Sequence, residues 1–190
     1  VNPYGLSKWM VEEMLKHYDL SYSLRHISLR YFNAAGASRS YGEDHRPESH
    51  LIPRVILAAL GKTEGITVFG TDYPTEDGTC IRDYIHVEDL AEAHVKAMEL
   101  LRSGGASDVL NLGNAMGYSV LEVITTIRKV TGRDFPVAFG PRRPGDPARL
   151  VAAPQKAQRV LGWRPQKAEL ETIVKDAWEW FQSYPNGYKR

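Results

Sequence analysis

Asn2-Pro3-Tyr4-Gly5-Leu6-Ser7-Lys8 opens the chain and decides how the rest of it folds. Asn2 is a residue type that caps helix starts, and Pro3 suits a first helical turn, where its missing N–H is not needed. Four residues advance a helix by about 400° and roughly 6 Å, so Tyr4 and Lys8 share one face. An ammonium beside a phenol favours the phenolate and lowers a tyrosine pKa from about 10 toward neutrality, one way to make a base. The alternative is a tyrosine packed beside the apolar stripe Leu6, Met10 and Met14, with a solvated lysine next to it. Taken alone, the pair favours that packing role; the segments downstream decide.

Working outward, residues 3–18 should form the helix. In 23–32, Ile27, Leu29 and Tyr31 alternate with polar residues, the pattern of a strand. A helix followed by a strand is the closing unit of a parallel α/β sheet, so the fold class is α/β. The segment 31–37 then lies at that strand's carboxyl end, where open α/β sheets place ligand-binding groups, or is simply a strand ending in a turn. A polar loop over 38–49 leads to a helix over 51–60, a strand over 66–69, a turn-rich stretch over 70–79 and a strand over 81–87. A helix over 88–102 and a strand over 109–112 follow. Ser119 and Glu122 form a capping box for the next helix, which Gly132 should end. A strand over 136–139, a loop over 141–149 and a short helix over 155–161 lead to the last helix. There Leu170, Ile173, Val174, Ala177, Trp178 and Phe181 recur at helical spacing, a core stripe whose tryptophans pack rather than bind.

Composition narrows the function. The 24 Lys+Arg balance 23 Asp+Glu, so no net field argues for nucleic acid or membrane. The lone cysteine, Cys80, excludes an internal disulfide framework and fits a reducing compartment, so a cytoplasmic location is expected. No apolar run approaches the length of a spanning helix. The six histidines show no recognised ligand spacing, and no metal site is expected. There is no Gly-x-Ser-x-Gly elbow of a serine hydrolase and no glycine-rich strand-to-helix turn for a dinucleotide pyrophosphate.

Beyond the opening stretch, the chain carries Arg30-Tyr31-Phe32-Asn33, the run Phe69-Gly70-Thr71-Asp72-Tyr73-Pro74-Thr75-Glu76-Asp77-Gly78-Thr79, and Arg82-Asp83-Tyr84-Ile85-His86-Val87. Asn111-Leu112-Gly113 and Arg142-Arg143-Pro144-Gly145-Asp146 complete the set. In this order the segments resemble the UDP-glucose 4-epimerases (UDP-galactose 4-epimerases) of the extended short-chain dehydrogenase/reductase group, whose Tyr-x-x-x-Lys pair Tyr4 and Lys8 match. The run 71–79 does most to separate them from dehydratase and decarboxylase relatives.

The resemblance implies that residues 1–33 end a Rossmann-type NAD-binding domain, and that 34–190 mostly form a smaller mixed α/β domain for a UDP-sugar. Parts of 82–102 would pack back on the first domain. It implies interconversion of UDP-glucose and UDP-galactose at C4 through a 4-keto sugar, with NAD as cofactor, and a homodimer built partly on the opening helix. Tyr4 would take the proton of the sugar 4-hydroxyl, while Lys8 would hold the nicotinamide ribose. Phe32 and Ala34 would lie against the nicotinamide. Asn33 would reach the diphosphate, and the Leu51 backbone would sit near the phosphates beside His50, a position often held by asparagine. Thr67, Val68 and Phe69 would meet the uracil, Arg82 and Arg143 would clamp the diphosphate, and Asp146 would accept from the uridine ribose. Arg142 is left undecided between that loop's binding face and a solvated basic turn; Asp83 and Asp89 are expected to be structural.

Two departures qualify this. The family's amino-terminal, nucleotide-binding half has no counterpart here, so these 190 residues alone are expected neither to hold NAD tightly nor to turn over. Some relatives carry a tyrosine where Leu150 stands, and the smaller leucine would admit N-acetylated UDP-sugars as well. The competing functions are an epimerase of another UDP-sugar (UDP-GlcNAc, UDP-glucuronate or a UDP-pentose) and an inactive fragment that binds nucleotide sugars.

Overall fold

The structure is a computed structural model that describes residues 2–188. In chain order it runs α1 (Pro3–Tyr22), β1 (Ile27–Tyr31), β2 (Asn33–Ala35), α2 (Leu51–Ala59), β3 (Ile66–Phe69), β4 (Ile81–Arg82), β5 (Tyr84–His86) and α3 (Val87–Arg102). Then come β6 (Asp108–Leu112), β7 (Tyr118–Ser119), α4 (Val120–Thr131), β8 (Val137–Gly140), β9 (Arg149–Leu150), α5 (Gln155–Leu161) and α6 (Leu170–Ser183).

Asn2 caps α1 as its type suggests: its side-chain oxygen accepts the Gly5 N–H at 2.8 Å, with Pro3 in the first turn. The helix runs about one turn past the expected end, because nothing at Tyr18 stops it. It closes at Ser23, which takes the left-handed conformation at φ 56° and returns its N–H to the Asp19 carbonyl. Of α1's residues only Glu12 is buried, and the stripe Leu6, Met10 and Met14 is exposed, together with Trp9 and Val11.

Two apolar clusters hold the chain together. In one, β1 and β6 pair in parallel from Ile27↔Asp108 to Tyr31↔Leu112. Leu110 and Leu112 there pack with Ile85, with Leu90 and Ala93 of α3, with Ala157 of α5, and with Trp163. The Trp163 indole N–H donates to the Asp89 carbonyl at 2.9 Å, so the ring is buried without losing its hydrogen bond. In the other cluster α2, α4 and α6 pack on one another. Beneath them β3 and β8 pair in parallel from Ile66↔Val137 to Phe69↔Gly140. The capping box at Ser119 and Glu122 forms, and Gly132 ends α4 in the left-handed conformation. Trp178 and Trp180 of α6 are buried, as packing residues should be.

The continuous strand expected over 81–87 is instead two strands in different sheets. β4 lies between β7, antiparallel, and β9, parallel, whereas β5 pairs with β2, which extends the segment read as the end of β1. Asp83 makes the break. Its carboxylate is wholly buried and accepts the backbone N–H groups of Asn114 (2.9 Å), Ala115 (3.0 Å) and Ala152 (3.1 Å). Its own carbonyl accepts the Asn33 N–H at 3.1 Å and Asn33 Nδ2 at 2.9 Å, and its N–H donates to the Leu150 carbonyl at 3.2 Å. Three N–H donors offset the cost of burying the charge, and one residue thereby ties β2, β9 and the loop after β6 together. The neighbouring Gly113 must stay bare: a Cβ there would fall 2.4 Å from the Ala152 Cβ and 2.6 Å from Asp83 Oδ2. Asp89, the other acid expected to be structural, accepts the Gln166 and Lys167 N–H groups at 2.8 and 3.0 Å.

Candidate active site

A cleft of about 710 Å³ is walled by the β1–β2 junction, the first turn of α2, strand β3 and the loop after β8. Tyr4, Phe32, Asn33, Ala34, His50, Leu51, Thr67, Val68, Phe69, Arg82, Arg143 and Asp146 all line it. Lys8 and Leu150 do not. Lys8 stands behind Tyr4, its Nζ 5.3 Å from the centre of the phenol ring. Leu150, 48% exposed, is the register partner of Arg82 on β9.

Tyr4 is 72% exposed in the first turn of α1. The helix is held by a two-pronged pair: Arg30 Nε donates to Glu12 Oε1 at 2.6 Å, and a second guanidinium nitrogen bonds Oε2. That hydrogen bond holds the Glu12 carboxyl below the usual carboxylate range, against the opposing effect of burial. It also fixes α1 on β1, whose carboxyl end opens into the cleft beside Tyr4.

The cationic groups divide their work. Arg82 pairs with Asp146 and donates to the Ile81 carbonyl at 2.7 Å; a guanidinium has five N–H groups, so it keeps donors for a further acceptor. Arg143 stacks on the Phe69 ring at 4.3 Å, an arrangement that holds its planar fork over the β3 wall. Arg142 points elsewhere. Its Nε donates to Asp72 Oδ1 at 2.6 Å and its guanidinium lies 4.3 Å from the Tyr73 ring centre, so it clamps the 70–79 turn. Asn33 has one amide N–H engaged with Asp83 and a second remaining. His50 is the N-cap residue of α2 but makes no side-chain cap; its Nδ1 contacts Glu43 Oε1 instead.

Sequence reasoning missed Tyr31, Glu43, Arg54, Cys80 and Tyr84, which also line the cleft. Tyr31 lies inside a quoted segment, and Cys80 and Tyr84 flank Arg82, so proximity to a motif was the available signal. Glu43 and Arg54 had none. Burial pushes the Cys80 thiol and the Tyr84 phenol up, leaving both neutral in the cleft at physiological pH.

The model of the NAD dependent epimerase/dehydratase family matches residues 1–113. The chain belongs to that family. A curated UDP-glucose 4-epimerase of Halalkalibacterium halodurans is 54% identical over 189 residues, 98% of this chain and 57% of the relative. A crystal structure of a UDP-glucose 4-epimerase superposes with a TM-score of 0.96 at 52% identity, covering 100% of this chain and 59% of that one. The UDP-glucose 4-epimerase of Bifidobacterium longum, solved with NAD+ and UDP, has a TM-score of 0.91 at 40% identity and covers 98% and 56%. The chain thus spans 57% of the length of the first curated relatives it matches. Its mixed α/β architecture with parallel strand pairs is theirs.

The residues present fit one end of NAD. An exposed phenol with an ammonium behind it, and a wall made of the half-buried Phe32 ring and exposed Ala34, suit a ribose hydroxyl and a flat ring. The glycine-rich turn that cradles a pyrophosphate does not occur in the 190 residues.

Proposed function

We propose that this chain supplies the base and the nucleotide-sugar site of a UDP-glucose 4-epimerase, an isomerase that interconverts UDP-glucose and UDP-galactose at C4. What supports the reading is one cleft that holds both an exposed phenol and two guanidinium groups, the chemistry of a base and of a diphosphate clamp. Tyr4 takes and returns the proton of the sugar 4-hydroxyl. Lys8 holds the phenol in place and bonds the ribose next to it. NAD, when bound, supplies reversible hydride acceptance. Phe32 and Ala34 exclude water from its face.

Arg82 and Arg143 neutralise the diphosphate, with Asn33, His50 and the Leu51 backbone beside it. Thr67 and Val68 offer backbone groups to the uracil and Phe69 a ring edge, while Asp146 accepts from the ribose. Residues 1–33, with the elements packed on β1, form the end of the NAD-binding domain, and 34–190 mostly form the UDP-sugar domain. A role in galactose metabolism and a cytoplasmic location belong to the same reading; among the described residues no helix is long and apolar enough to cross a membrane. The exposed Leu6, Trp9, Met10 and Met14 of α1, with Val95 and Met98 of α3, favour a homodimer.

The test is turnover of UDP-galactose by the natively expressed protein. Tyr4→Phe should slow it by about 10²–10⁴-fold while UDP still binds; unchanged turnover refutes the assignment of the base.

A further inference from the structure

Glu43, His45 and Glu48 have no part in the function proposed above, yet with His50 they converge in the loop before α2. One ligand atom from each lies within 4.8 Å of the other three. His50 Nδ1 contacts Glu43 Oε1 and is 3.3 Å from Glu48 Oε1; His45 Nδ1 is 3.9 Å from the same Glu48 oxygen. The two imidazole rings are 5.3 Å apart and tilted by 36°. A tetrahedral Zn2+ with bonds of about 2.0–2.2 Å spaces its ligand atoms about 3.3–3.6 Å apart, so side-chain adjustments of roughly 1 Å close this cluster on an ion.

We propose that Glu43, His45, Glu48 and His50 bind a divalent transition metal, and that Zn2+ suits them best. Two imidazoles with two carboxylates are a mixed nitrogen and oxygen set, which Zn2+ accepts and which Mg2+ and Ca2+, demanding oxygen, do not. Histidine and cysteine spacing alone does not show this site, because half of its ligands are glutamates.

The loop is tied down independently of any ion. Trp180 Nε1 donates to the Glu43 carbonyl at 3.1 Å, the Gly42 N–H donates to the Tyr188 hydroxyl at 2.9 Å, and Arg46 donates to the Asn186 carbonyl at 2.6 Å. Glu48 Oε1 accepts the N–H groups of Ser49 (2.7 Å) and His50 (2.8 Å), which fixes the carboxylate and leaves Oε2 as its oxygen for an ion. With all four positions filled by protein the ion is structural. It staples residue 43 to residue 50 at the rim of the cleft, next to the first turn of α2.

The experiment is a calorimetric titration of the chelator-treated, purified chain with Zn2+ alone, with bound metal counted by mass spectrometry and Co2+ used as a spectroscopic probe. One equivalent should bind at micromolar concentration or tighter, Co2+ should give the visible bands of a tetrahedral site, and thermal stability should rise with Zn2+. His45→Asn should weaken binding by at least about 100-fold, more than loss of an outer-shell partner costs. Glu43→Gln should act in the same direction, and His17→Asn, on the exposed face of α1, should bind as the parent does. Circular dichroism verifies that each variant is folded. No stoichiometric Zn2+ in the folded parent, or parental affinity in both His45→Asn and Glu43→Gln, overturns the proposal.

Discussion

Replacing Asp83 tests how the fold builds the cleft. Its buried carboxylate accepts three backbone N–H groups at 2.9–3.1 Å. Hydrogen bonds to a charged acceptor contribute about 1.5–3 kcal/mol each, and alanine takes this partner from all three donors, of which the Ala152 N–H is fully buried, so Asp83→Ala should cost up to about 4.5–9 kcal/mol. A domain's whole stability is about 5–15 kcal/mol, so this variant should sit at or near the edge of unfolding. Asp83→Asn keeps one acceptor oxygen. With that oxygen in the Oδ2 position it serves Ala115 and Ala152 and turns an NH2 toward the Asn114 N–H, a loss of about 2–4 kcal/mol. Urea denaturation with linear extrapolation reads both values. A loss below about 1 kcal/mol for Asp83→Ala, with the denaturant slope unchanged, would refute the claim that this carboxylate joins the sheets.

Three further outcomes follow from particular contacts. The folded pKa of Glu12 is depressed, first by its hydrogen bond from Arg30, so its contribution is complete above the unfolded value near pH 4.3 and is lost as pH falls through the folded one. Glu12→Gln should therefore remove part of the acid limb in a pH titration followed by circular dichroism; an unchanged limb counts against the pair. His86 is depressed by burial and then by the Lys167 ammonium, with Asp176 opposing. Its Nδ1 accepts the Glu88 N–H at 3.1 Å, so the neutral ring donates from Nε2 to Asp176, also at 3.1 Å. The unfolded chain takes up this proton near pH 6.5 and the folded one only lower, so stability should fall as pH drops from about 6.5 through the folded pKa. A His86→Asn variant, which keeps a capping side chain, should lose that slope, and a variant with the parental slope contradicts it. Leu150→Tyr in the natively expressed protein should reduce turnover of UDP-GlcNAc more than that of UDP-galactose; equal reductions would mean residue 150 does not set the sugar range.

What could be read from sequence was local. The Asn2 cap, the Ser119–Glu122 box, Gly132, strand β3 and helix α5 each follow from residues within a few positions of one another. The split of 81–87 depends on amides 31 and 69 residues away from Asp83, and no periodicity reports them. β7 and β9 are two residues long, too short to carry a pattern. Arg142 could not be told from Arg143 by composition: its partner Asp72 lies 70 residues away, and only the chain path brings them together. The cleft residues within motifs were legible because each motif carries its own chemistry. Glu43 and Arg54 lie on an irregular loop and a helix face, where a charged residue is ordinarily just solvated. The opposite error touched α1, whose apolar stripe reads as core by spacing alone but is exposed.

The central claim is that the cleft binds the diphosphate of a UDP-sugar through Arg143 and Arg82. Its most direct test is UDP affinity of the natively expressed protein and of Arg143→Ala, measured by calorimetry. A charge-assisted contact of about 1.5–3 kcal/mol predicts that UDP binds and that the variant binds it roughly ten- to a hundredfold more weakly. A parent protein that does not bind UDP, or a variant that binds it as tightly as the parent, would contradict the account.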